Sequence, residues 1–277
     1  MTPLPSTAPP ERLLAPLRER PRRSAILCDV DGTLAPIVAR PADAAVPAHA
    51  REVLRALADR FGLVACVSGR RAAEARRIVG LDELAYFGNH GLETLAPGAR
   101  EPVVDAAVRP LADRVRRFAD ERSTAALTHL GIRFEDKDAI RSFHFREAPD
   151  ERAARAALDD VAKAAEREGL HPHWGRKVLE IRPTDAVDKG TAVVAALAGR
   201  DLSLALFGGE DATDLDAFRS LRELAGNGAL DAVVCVGVAS SEGPAAIVED
   251  ADLVVEGTRG FCALLESLAA PDESLIA

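Results

Sequence analysis

Two aspartates, Asp29 and Asp31, stand two positions apart directly after a short apolar run, Ala25–Cys28. The run predicts a buried strand, and the Gly32-Thr33 pair predicts a turn after it. Because that turn breaks the alternation of strand side chains, both carboxylates can face one polar centre. Asp-Gly is also a common turn pair, but the pattern D-x-D-G-T-L after an apolar strand favours a chemical role. Open parallel sheets bind ligands at this end of their strands.

Transfer of a phosphoryl group to a carboxylate also needs hydrogen-bond donors for the phosphoryl oxygens, a cation and a metal site. Three groups of residues later in the chain supply them. Ser68-Gly69 follows a second apolar run and offers a hydroxyl and a backbone N–H, although Ser-Gly is also a turn pair. Lys189 is one of only four lysines and stands at a predicted helix start, where an exposed cation would oppose the helix dipole. The acidic loop contains four carboxylates within seven residues, more than helix capping needs, and we interpret it as a metal site. These carboxylates are Glu210, Asp211, Asp214 and Asp216.

Alternating apolar strands and amphipathic helices predict how these residues are held. Helices are expected over 47–62, 71–79, 105–121, 150–168, 189–197, 215–224 and 261–268. Strands are expected over 25–28, 63–67, 84–87, 131–135, 139–146, 171–174, 177–182, 202–207, 232–236 and 253–255. This order predicts the α/β class, with a doubly wound, mostly parallel sheet in the core.

The middle of the chain follows a different pattern, because helix, hairpin, helix and hairpin succeed one another there. We predict an inserted, smaller α+β cap domain over 105–183, and a catalytic core over 24–104 and 184–277. Residues 1–23, rich in proline and arginine, are expected to form a flexible lead-in, and the tail over 270–277 is expected to be loose.

Composition excludes several classes of function. A net charge of −9 and a pI near 5.3 argue against nucleic acid or an anionic membrane as partner. No apolar run reaches the length that spans a bilayer, and the N-terminus lacks the apolar centre of a signal peptide. Four widely spaced cysteines without a CxxC pair indicate a reducing compartment. We therefore expect a cytoplasmic protein, monomeric, acting on a small molecule.

The motifs DVDGTL, SGR, DKG and GEDATD occur in the order of the four motifs of the haloacid-dehalogenase-like (HAD) phosphatases, which this chain resembles. Within them it looks like the trehalose-6-phosphate phosphatases, on GNHGLE, IRFEDKDAIRSFHFR, GRKVLEIRP and EDATDLDAF. The resemblance runs from about Ala25 to Thr258. It implies hydrolysis of trehalose 6-phosphate through an aspartyl-phosphate, as the last step of trehalose biosynthesis.

The resemblance also implies roles for individual residues. Asp29 would be the nucleophile and Asp31 the general acid/base, while Ser68, Gly69 and Lys189 would bind phosphate. Mg²⁺, with Mn²⁺ as an alternative, would be held by Asp29, the backbone carbonyl of Asp31 and the acidic loop through Glu210, Asp211 or Asp214. The substrate would be contacted by Arg70, His90, Lys177, Glu180 and Arg182.

Simpler interpretations remain for the substrate residues. Lys177, Glu180 and Arg182 also fit the polar face of an edge strand, His90 fits a turn, and Arg70 fits a solvated arginine. Trp174, the only tryptophan, fits the core of the cap better than a platform for a sugar ring.

The chain departs from the family at Glu210, where the family usually has aspartate. One extra methylene displaces a carboxylate by about 1.5 Å, whereas Mg²⁺ takes ligands at roughly 2.0–2.1 Å in octahedral geometry. The alternatives to the trehalose-phosphate reaction are a phosphatase of sucrose 6-phosphate or glucosylglycerol phosphate, a phosphomutase, and a non-catalytic module that senses the sugar phosphate.

Overall fold

The computed structural model describes residues 10–270, apart from 39, 105, 107, 176, 185 and 242. The chain divides into two compact units. The core unit comprises Met1–Pro102 and Val187–Ala277, and the inserted unit comprises Val103–Ala186. None of the described helices is long and apolar enough to cross a membrane.

The bounds of the elements follow. The strands are β1 (Ser24–Cys28), β2 (Leu63–Val67), β3 (Ala85–Gly88), β4 (Glu93–Leu95), β5 (Val103–Val104), β6 (Arg133–Asp136), β7 (Arg141–His144), β8 (His171–Gly175), β9 (Val178–Arg182), β10 (Leu204–Gly209), β11 (Ala232–Ala239) and β12 (Leu253–Glu256). The helices are α1 (Pro10–Glu19), α2 (Ala48–Arg60), α3 (Ala72–Val79), α4 (Arg109–Arg122), α5 (Ala125–His129), α6 (Glu151–Arg167), α7 (Lys189–Leu197), α8 (Asp214–Gly226), α9 (Ala245–Asp250) and α10 (Gly257–Ala269).

The core unit is built on a sheet with the strand order β12-β11-β10-β1-β2-β3-β4. All neighbouring pairs are parallel except β3 with β4, which are antiparallel. The chain winds outward from β1 through β2 to β3, and later from β10 through β11 to β12. The order therefore reverses between β1 and β10, and ligands of such sheets bind in the crevice at that point. The mostly parallel α/β fold predicted for the core is confirmed.

Every residue of β1, β2 and β10 is buried, as expected for parallel strands that are covered on both faces. Alternate residues of β1 enter two different apolar layers. Ile26 and Cys28 pack in the layer that contains α2 and α10, and Ala25 and Leu27 pack in the layer that contains α7 and α8. These layers fix the direction of β1, and so the position of the loop that follows it.

The flexible lead-in predicted over 1–23 is wrong for its described part. Pro10–Glu19 is an amphipathic helix, and Leu14 and Leu17 on its apolar side are only 3% and 1% exposed. The prolines led to the wrong prediction: Pro10 occupies the first turn of the helix, where its missing N–H costs nothing, and Pro16 is accommodated inside the helix. Residues 1–9 and 271–277 lie outside the described residues.

The inserted unit contains an antiparallel sheet with the order β6-β7-β9-β8. One face of this sheet packs Phe143, Leu179 and Ile181 into an apolar cluster with residues of α4 and α6. The opposite face carries Ser142 and Glu180, which are direct cross-strand partners. Trp174 packs against the apolar cluster and lies edge-on to Phe145, which agrees with its expected place in the core of this unit.

Candidate active site

Asp29 lies at the carboxyl end of β1, at the point where the strand order reverses. Its backbone N–H donates to the carbonyl of Gly208 in β10 at 2.9 Å, and the residue is 4% exposed. Its Oδ1 accepts a hydrogen bond from Lys189 Nζ at 2.7 Å, and its Oδ2 accepts one from Thr33 Oγ1 at 3.3 Å. The carboxylate is thus held in one orientation by a cation and a hydroxyl.

Lys189 is buried between two carboxylates. Its Nζ lies 2.7 Å from Asp29 Oδ1 and 2.7 Å from Asp214 Oδ1, and the residue is 3% exposed. Burial by itself would lower the pKa of this ammonium, but the carboxylates of Asp214 and Asp29 outweigh it and raise the pKa. The two carboxylates also offset the unfavourable interaction of the ammonium with the helix dipole at the start of α7. Asp188 caps this helix in a capping box with Thr191.

Asp214 holds the acidic loop together. Its Oδ2 accepts hydrogen bonds from the backbone N–H groups of Glu210 (3.0 Å) and Asp211 (2.9 Å), while Oδ1 accepts from Lys189. A Cβ on Gly209 would lie 2.5 Å from Asp214 Cβ, so only glycine allows this close approach. Both carboxylate oxygens are engaged in this way. These contacts make Asp214 an organiser of the loop, and its role as a metal ligand stays a prediction.

Asp31 is paired with an arginine. Arg70 donates from Nε to Asp31 Oδ2 at 2.6 Å and from Nη2 to Asp31 Oδ1 at 2.7 Å, a bidentate arrangement. Arg70 Nη1 also donates to the carboxylate of Glu74. Its side chain is only 15% exposed, so the simple interpretation of a solvated arginine is wrong.

Ser68 and Gly69 follow β2, next to the loop after β1. Ser68 is 1% exposed, and its Oγ accepts a hydrogen bond from the backbone N–H of Arg70 at 3.2 Å. A Cβ on Gly69 would lie 2.8 Å from Cε1 of the His90 ring. The imidazole therefore lies directly beside the predicted phosphate-binding pair.

The segment Asn89–Gly91 has an unusual backbone, because all three residues have positive φ (50°, 59° and 116°). Such angles in residues other than glycine cost about 1–3 kcal/mol each and concentrate at functional sites. The backbone N–H of Asn89 donates to the Arg70 carbonyl at 2.7 Å, and that of His90 to the Ser68 carbonyl at 2.9 Å. These bonds attach the segment to the loop after β2.

Two buried side chains that support this segment were not predicted from the sequence. Glu93 Oε1 accepts from Asn89 Nδ2 at 2.9 Å, and Glu93 Oε2 accepts from the backbone N–H of Ala72 at the start of α3 at 2.9 Å. Asn89 and Glu93 are both fully buried. The motif GNHGLE contains Asn89, His90 and Glu93, and its two polar residues besides His90 were the available signal.

Glu210 reaches back toward the loop after β1. It is 8% exposed, and a Cβ on Gly32 would lie 2.6 Å from Glu210 Cγ and 2.8 Å from Oε1. Its Oε2 accepts a hydrogen bond from Ser240 Oγ at 2.9 Å. Asp211, by contrast, is exposed, and its Oδ1 accepts from the adjacent N–H of Ala212. Of the two, Glu210 is the acidic-loop carboxylate that lies against the Asp29–Gly32 loop.

The residues at this edge of the sheet fit a magnesium ion. Among the described residues, no group of three or more histidine, cysteine or acidic side chains is arranged so that it could hold a metal ion by itself. Mg²⁺ does not need one, since it usually takes one or two carboxylates and keeps several waters. Burial raises the pKa of the Asp29 carboxyl, Asp214 adds to this and Lys189 opposes it. One ammonium thus faces two buried carboxylates, and a divalent cation would offset the excess negative charge.

The inserted unit contains a separate buried polar cluster. Arg182 donates from Nη2 to Glu180 Oε2 at 2.7 Å, and Lys137 donates from Nζ to Glu180 Oε1 at 2.9 Å. Glu180 and Arg182 are 5% and 6% exposed, so they do not lie on a solvated edge. Lys177 is not part of this cluster: it has a φ of 54° in the turn before β9, and its Nζ pairs with Glu151 Oε1 at 2.5 Å.

Lys137 was not predicted as a site residue. It lies between β6 and β7, and the available signal was the scarcity of lysine in this chain. The structure therefore groups Lys137, Glu180 and Arg182, where the sequence analysis grouped Lys177, Glu180 and Arg182.

Residues 27–250 match the family described as Trehalose-phosphatase. An uncharacterized glycosyl hydrolase of Mycobacterium tuberculosis is 37% identical over 215 residues, which cover 73% of this chain and 15% of that protein. Trehalose 6-phosphate phosphatase RA3 of Zea mays is 36% identical over 218 residues, covering 71% of this chain and 58% of that protein. The chain thus matches less than two thirds of the length of these curated relatives.

Solved structures show the same fold. The C-terminal domain of a Candida albicans trehalose-6-phosphate phosphatase superposes with a TM-score of 0.76 at 23% identity, covering 96% of this chain and 99% of that one. A haloacid dehalogenase-like hydrolase from Bacteroides thetaiotaomicron superposes with a TM-score of 0.61 at 14% identity, covering 88% and 99%. At these identities the likeness supports the fold alone.

Proposed function

Because this chain belongs to the trehalose-phosphatase family, we propose that it hydrolyses trehalose 6-phosphate to trehalose and phosphate, the last step of trehalose biosynthesis. The observation that supports this most directly is the buried Asp29–Lys189–Asp214 constellation at the ends of β1 and β10. It presents one oriented carboxylate beside a cation, as a nucleophile for phosphoryl transfer requires.

The first chemical step forms an aspartyl-phosphate. An oxygen of Asp29 attacks phosphorus, and the bond between phosphorus and the sugar oxygen breaks. Asp31, in its protonated form, gives its proton to the departing oxygen, so that trehalose leaves as the neutral alcohol. Asp31 lies two residues after the nucleophile on the same loop, and Arg70 holds its carboxyl group.

The second step hydrolyses this intermediate. Asp31, now a carboxylate, takes a proton from water as the water attacks phosphorus. The bond between Asp29 and phosphorus breaks, and phosphate leaves. Asp29 is again a carboxylate and Asp31 is again protonated, so the cycle closes without a further reactant.

Three groups are proposed to hold the phosphoryl oxygens: the Lys189 ammonium, the Ser68 hydroxyl and the backbone N–H of Gly69. Three observations support this: Ser68 and Gly69 follow β2, the Lys189 ammonium contacts Asp29 at the end of β1, and Lys189 and Ser68 are buried. Fixed donors in a site that excludes water stabilise developing charge more than they would in solution.

Magnesium, or manganese in its place, is proposed as the metal, held by Asp29, the backbone carbonyl of Asp31 and Glu210. When bound, it would neutralise charge on the phosphoryl oxygens as a Lewis acid. Asp211 is left out of this set because it is exposed, and Asp214 because its fully buried carboxylate holds the backbone N–H groups of Glu210 and Asp211.

Sugar recognition is assigned to the inserted unit, through Lys137, Glu180 and Arg182. Their ammonium, carboxylate and guanidinium groups are held by ion pairs in a largely buried position, and such groups bind sugar hydroxyls well. Lys177 stays a predicted substrate contact outside this group, and its ammonium pairs with Glu151. His90 is retained as a proposed contact because its ring lies beside Gly69.

We propose a cytoplasmic monomer that acts on a small molecule and has no nucleic acid or membrane partner. Its acidic composition supports this assignment. So do its free cysteines, of which Cys28, Cys66 and Cys235 are buried.

The test measures phosphate release from trehalose 6-phosphate, with Mg²⁺, by the wild-type chain and by Asp29→Asn. Glucose 6-phosphate and sucrose 6-phosphate are assayed in parallel. The expected result is release from trehalose 6-phosphate that Asp29→Asn abolishes. Faster release from another sugar phosphate would agree with the proposed mechanism and refute trehalose 6-phosphate as the substrate. Binding of trehalose 6-phosphate without any release would refute the enzyme and support a sensing module.

A further inference from the structure

Glu210 is held by a residue from a different loop, and we infer that Ser240 is a positioning residue that orients Glu210 toward a divalent cation. Ser240 directly follows β11, the strand that pairs with β10. This inference rests on the proposed metal site, because it concerns how one proposed ligand of that site is oriented.

The direction of the hydrogen bond can be assigned from its neighbours. Ser240 Oγ lies 2.9 Å from Glu210 Oε2, and it accepts a hydrogen bond from the backbone N–H of Gly243 at 2.8 Å. An ionised carboxylate only accepts hydrogen bonds, so the Ser240 proton points to Glu210. The N–H of Gly243 fixes the hydroxyl from the other side.

Close packing on both sides confines Glu210. A Cβ on Gly243 would lie 3.0 Å from the backbone carbonyl of Glu210 and 3.1 Å from Ser240 Oγ. On the other side, Gly32 has a φ of 77°, and a Cβ there would lie 2.8 Å from Glu210 Oε1. One carboxylate oxygen is therefore bound by Ser240, and the other lies against the loop that carries Asp29 and Asp31.

This confinement answers the difficulty that the extra methylene of glutamate creates. Glutamate has one more rotatable bond than the usual aspartate, so more side-chain entropy must be lost to place its carboxylate. Mg²⁺ tolerates little deviation from octahedral geometry, which makes a freely rotating ligand a poor one. A hydrogen bond to the ligand's second oxygen removes that freedom before the ion binds.

The first measurement is Mg²⁺ binding to the full-length chain without substrate, by titration calorimetry, for wild type and Ser240→Ala. Loss of such a supporting hydrogen bond typically weakens metal binding by about 10–100-fold, and we expect Ser240→Ala to raise the Mg²⁺ Kd by about tenfold. Ser240→Thr keeps the hydroxyl and should bind as the wild type does. Ser241→Ala removes the neighbouring exposed hydroxyl and is the matched control.

A double-mutant cycle separates positioning from a general effect on the fold. Aspartate at position 210 is too short to keep the Ser240 bond, so Ser240→Ala should change the Mg²⁺ Kd of a Glu210→Asp variant by less than twofold. An equal loss in both backgrounds would overturn the inference, as would a wild-type Kd in Ser240→Ala. No detectable Mg²⁺ binding by the wild type would also overturn it.

The failure of this inference and of the proposed function are distinguishable. If Ser240→Ala binds Mg²⁺ like the wild type while the wild type hydrolyses trehalose 6-phosphate, only the inference fails. If Ser240→Ala weakens Mg²⁺ binding while the wild type releases phosphate from no sugar phosphate, only the proposed function fails.

Discussion

At the scale of single residues, the site is organised by charge. Lys189 offsets two buried carboxylates, and Arg70 is bound by Asp31 and Glu74. Removing one partner of the buried Lys189 leaves a charge without compensation, which costs about 3–5 kcal/mol. The ordinary alternative for Lys189, an exposed lysine at a helix start, is wrong because its ammonium is buried and doubly paired.

The role of Arg70 can be tested by Arg70→Lys, which keeps the charge and loses the bidentate geometry. We expect kcat for trehalose 6-phosphate to fall by about 100-fold, because Asp31 loses the two hydrogen bonds that orient its carboxyl group and misplacement of a catalytic group costs about that much. The kcat for an aryl phosphate, whose leaving group needs no proton, should fall less. The measurement is kcat and KM for both substrates.

A matched control is Arg77→Lys, on the exposed side of α3, which should leave both constants unchanged. If Arg70→Lys raises KM with kcat unchanged, Arg70 orients the substrate, as predicted from the sequence, and does not orient Asp31.

At the scale of elements, the site depends on close approaches to the backbone at glycine positions, where a Cβ atom would collide with a neighbouring residue. Gly32 lies against Glu210, Gly69 against His90, and Gly209 against Asp214. All three loops follow parallel strands of the core sheet, whose carboxyl ends lie at one edge. The glycines in these motifs are therefore required by contacts between loops, at Gly32 and Gly69, and by a contact within the acidic loop, at Gly209, as well as by turns.

Gly209→Ala tests this dependence. Its Cβ would displace the Asp214 carboxylate, and with it the bonds to Lys189 and to the acidic loop. We expect the free energy of unfolding to fall by about 1–3 kcal/mol, as for other overpacked positions, together with a large loss of phosphate release. Circular dichroism during urea unfolding measures the first effect.

Gly226→Ala, in the last turn of α8, is the control, since a Cβ there has no neighbour within 4 Å. It should leave stability unchanged or raise it by about 0.4–1 kcal/mol. A fall equal to that of Gly209→Ala would contradict the explanation by close approach.

At the scale of the whole molecule, the N-terminal helix is part of the core unit. Leu14 and Leu17 pack in the same apolar cluster as Leu265 and Leu268 of α10. Arg18 adds hydrogen bonds to Ser267, through Nη2 to Oγ at 3.1 Å and through Nε to the carbonyl at 3.2 Å. The helix therefore covers one face of the layer that also contains Ile26 of β1.

Leu17→Ala should lower the free energy of unfolding by about 2–4 kcal/mol, because it removes a side chain that is 1% exposed and leaves a cavity. The initial rate of phosphate release at 25 °C should not change, since α1 contributes no residue to the site. Arg12→Ala, on the exposed side of the same helix, is the control and should stay within about 0.5 kcal/mol of wild type. Equal stability of the two variants would mean that α1 does not contribute to folding.

Much of the fold could be predicted from local patterns, because burial on a sheet or helix imposes a period on the sequence. The strand Leu63–Val67 and the helix Lys189–Leu197 have the bounds expected from their apolar residues. Short elements without a clear period, such as α5 and β4, were not predicted. The polar residues at the strand ends were identifiable because the carboxyl ends of parallel strands meet at one edge.

By itself, the sequence determined which residue types stand where the strands end, and therefore the class of chemistry. Only the tertiary structure decided how they share contacts, since Lys189 meets Asp29 across 160 positions and Asp214 across 25. Only the tertiary structure shows that both carboxylate oxygens of Asp214 accept hydrogen bonds, and that Lys137, not Lys177, pairs with Glu180. The physical reason is that the period of apolar residues indicates only which face of a strand or helix a side chain lies on. Which side chains pair depends on loop geometry, such as the positive φ of Lys177, and no local period encodes that geometry.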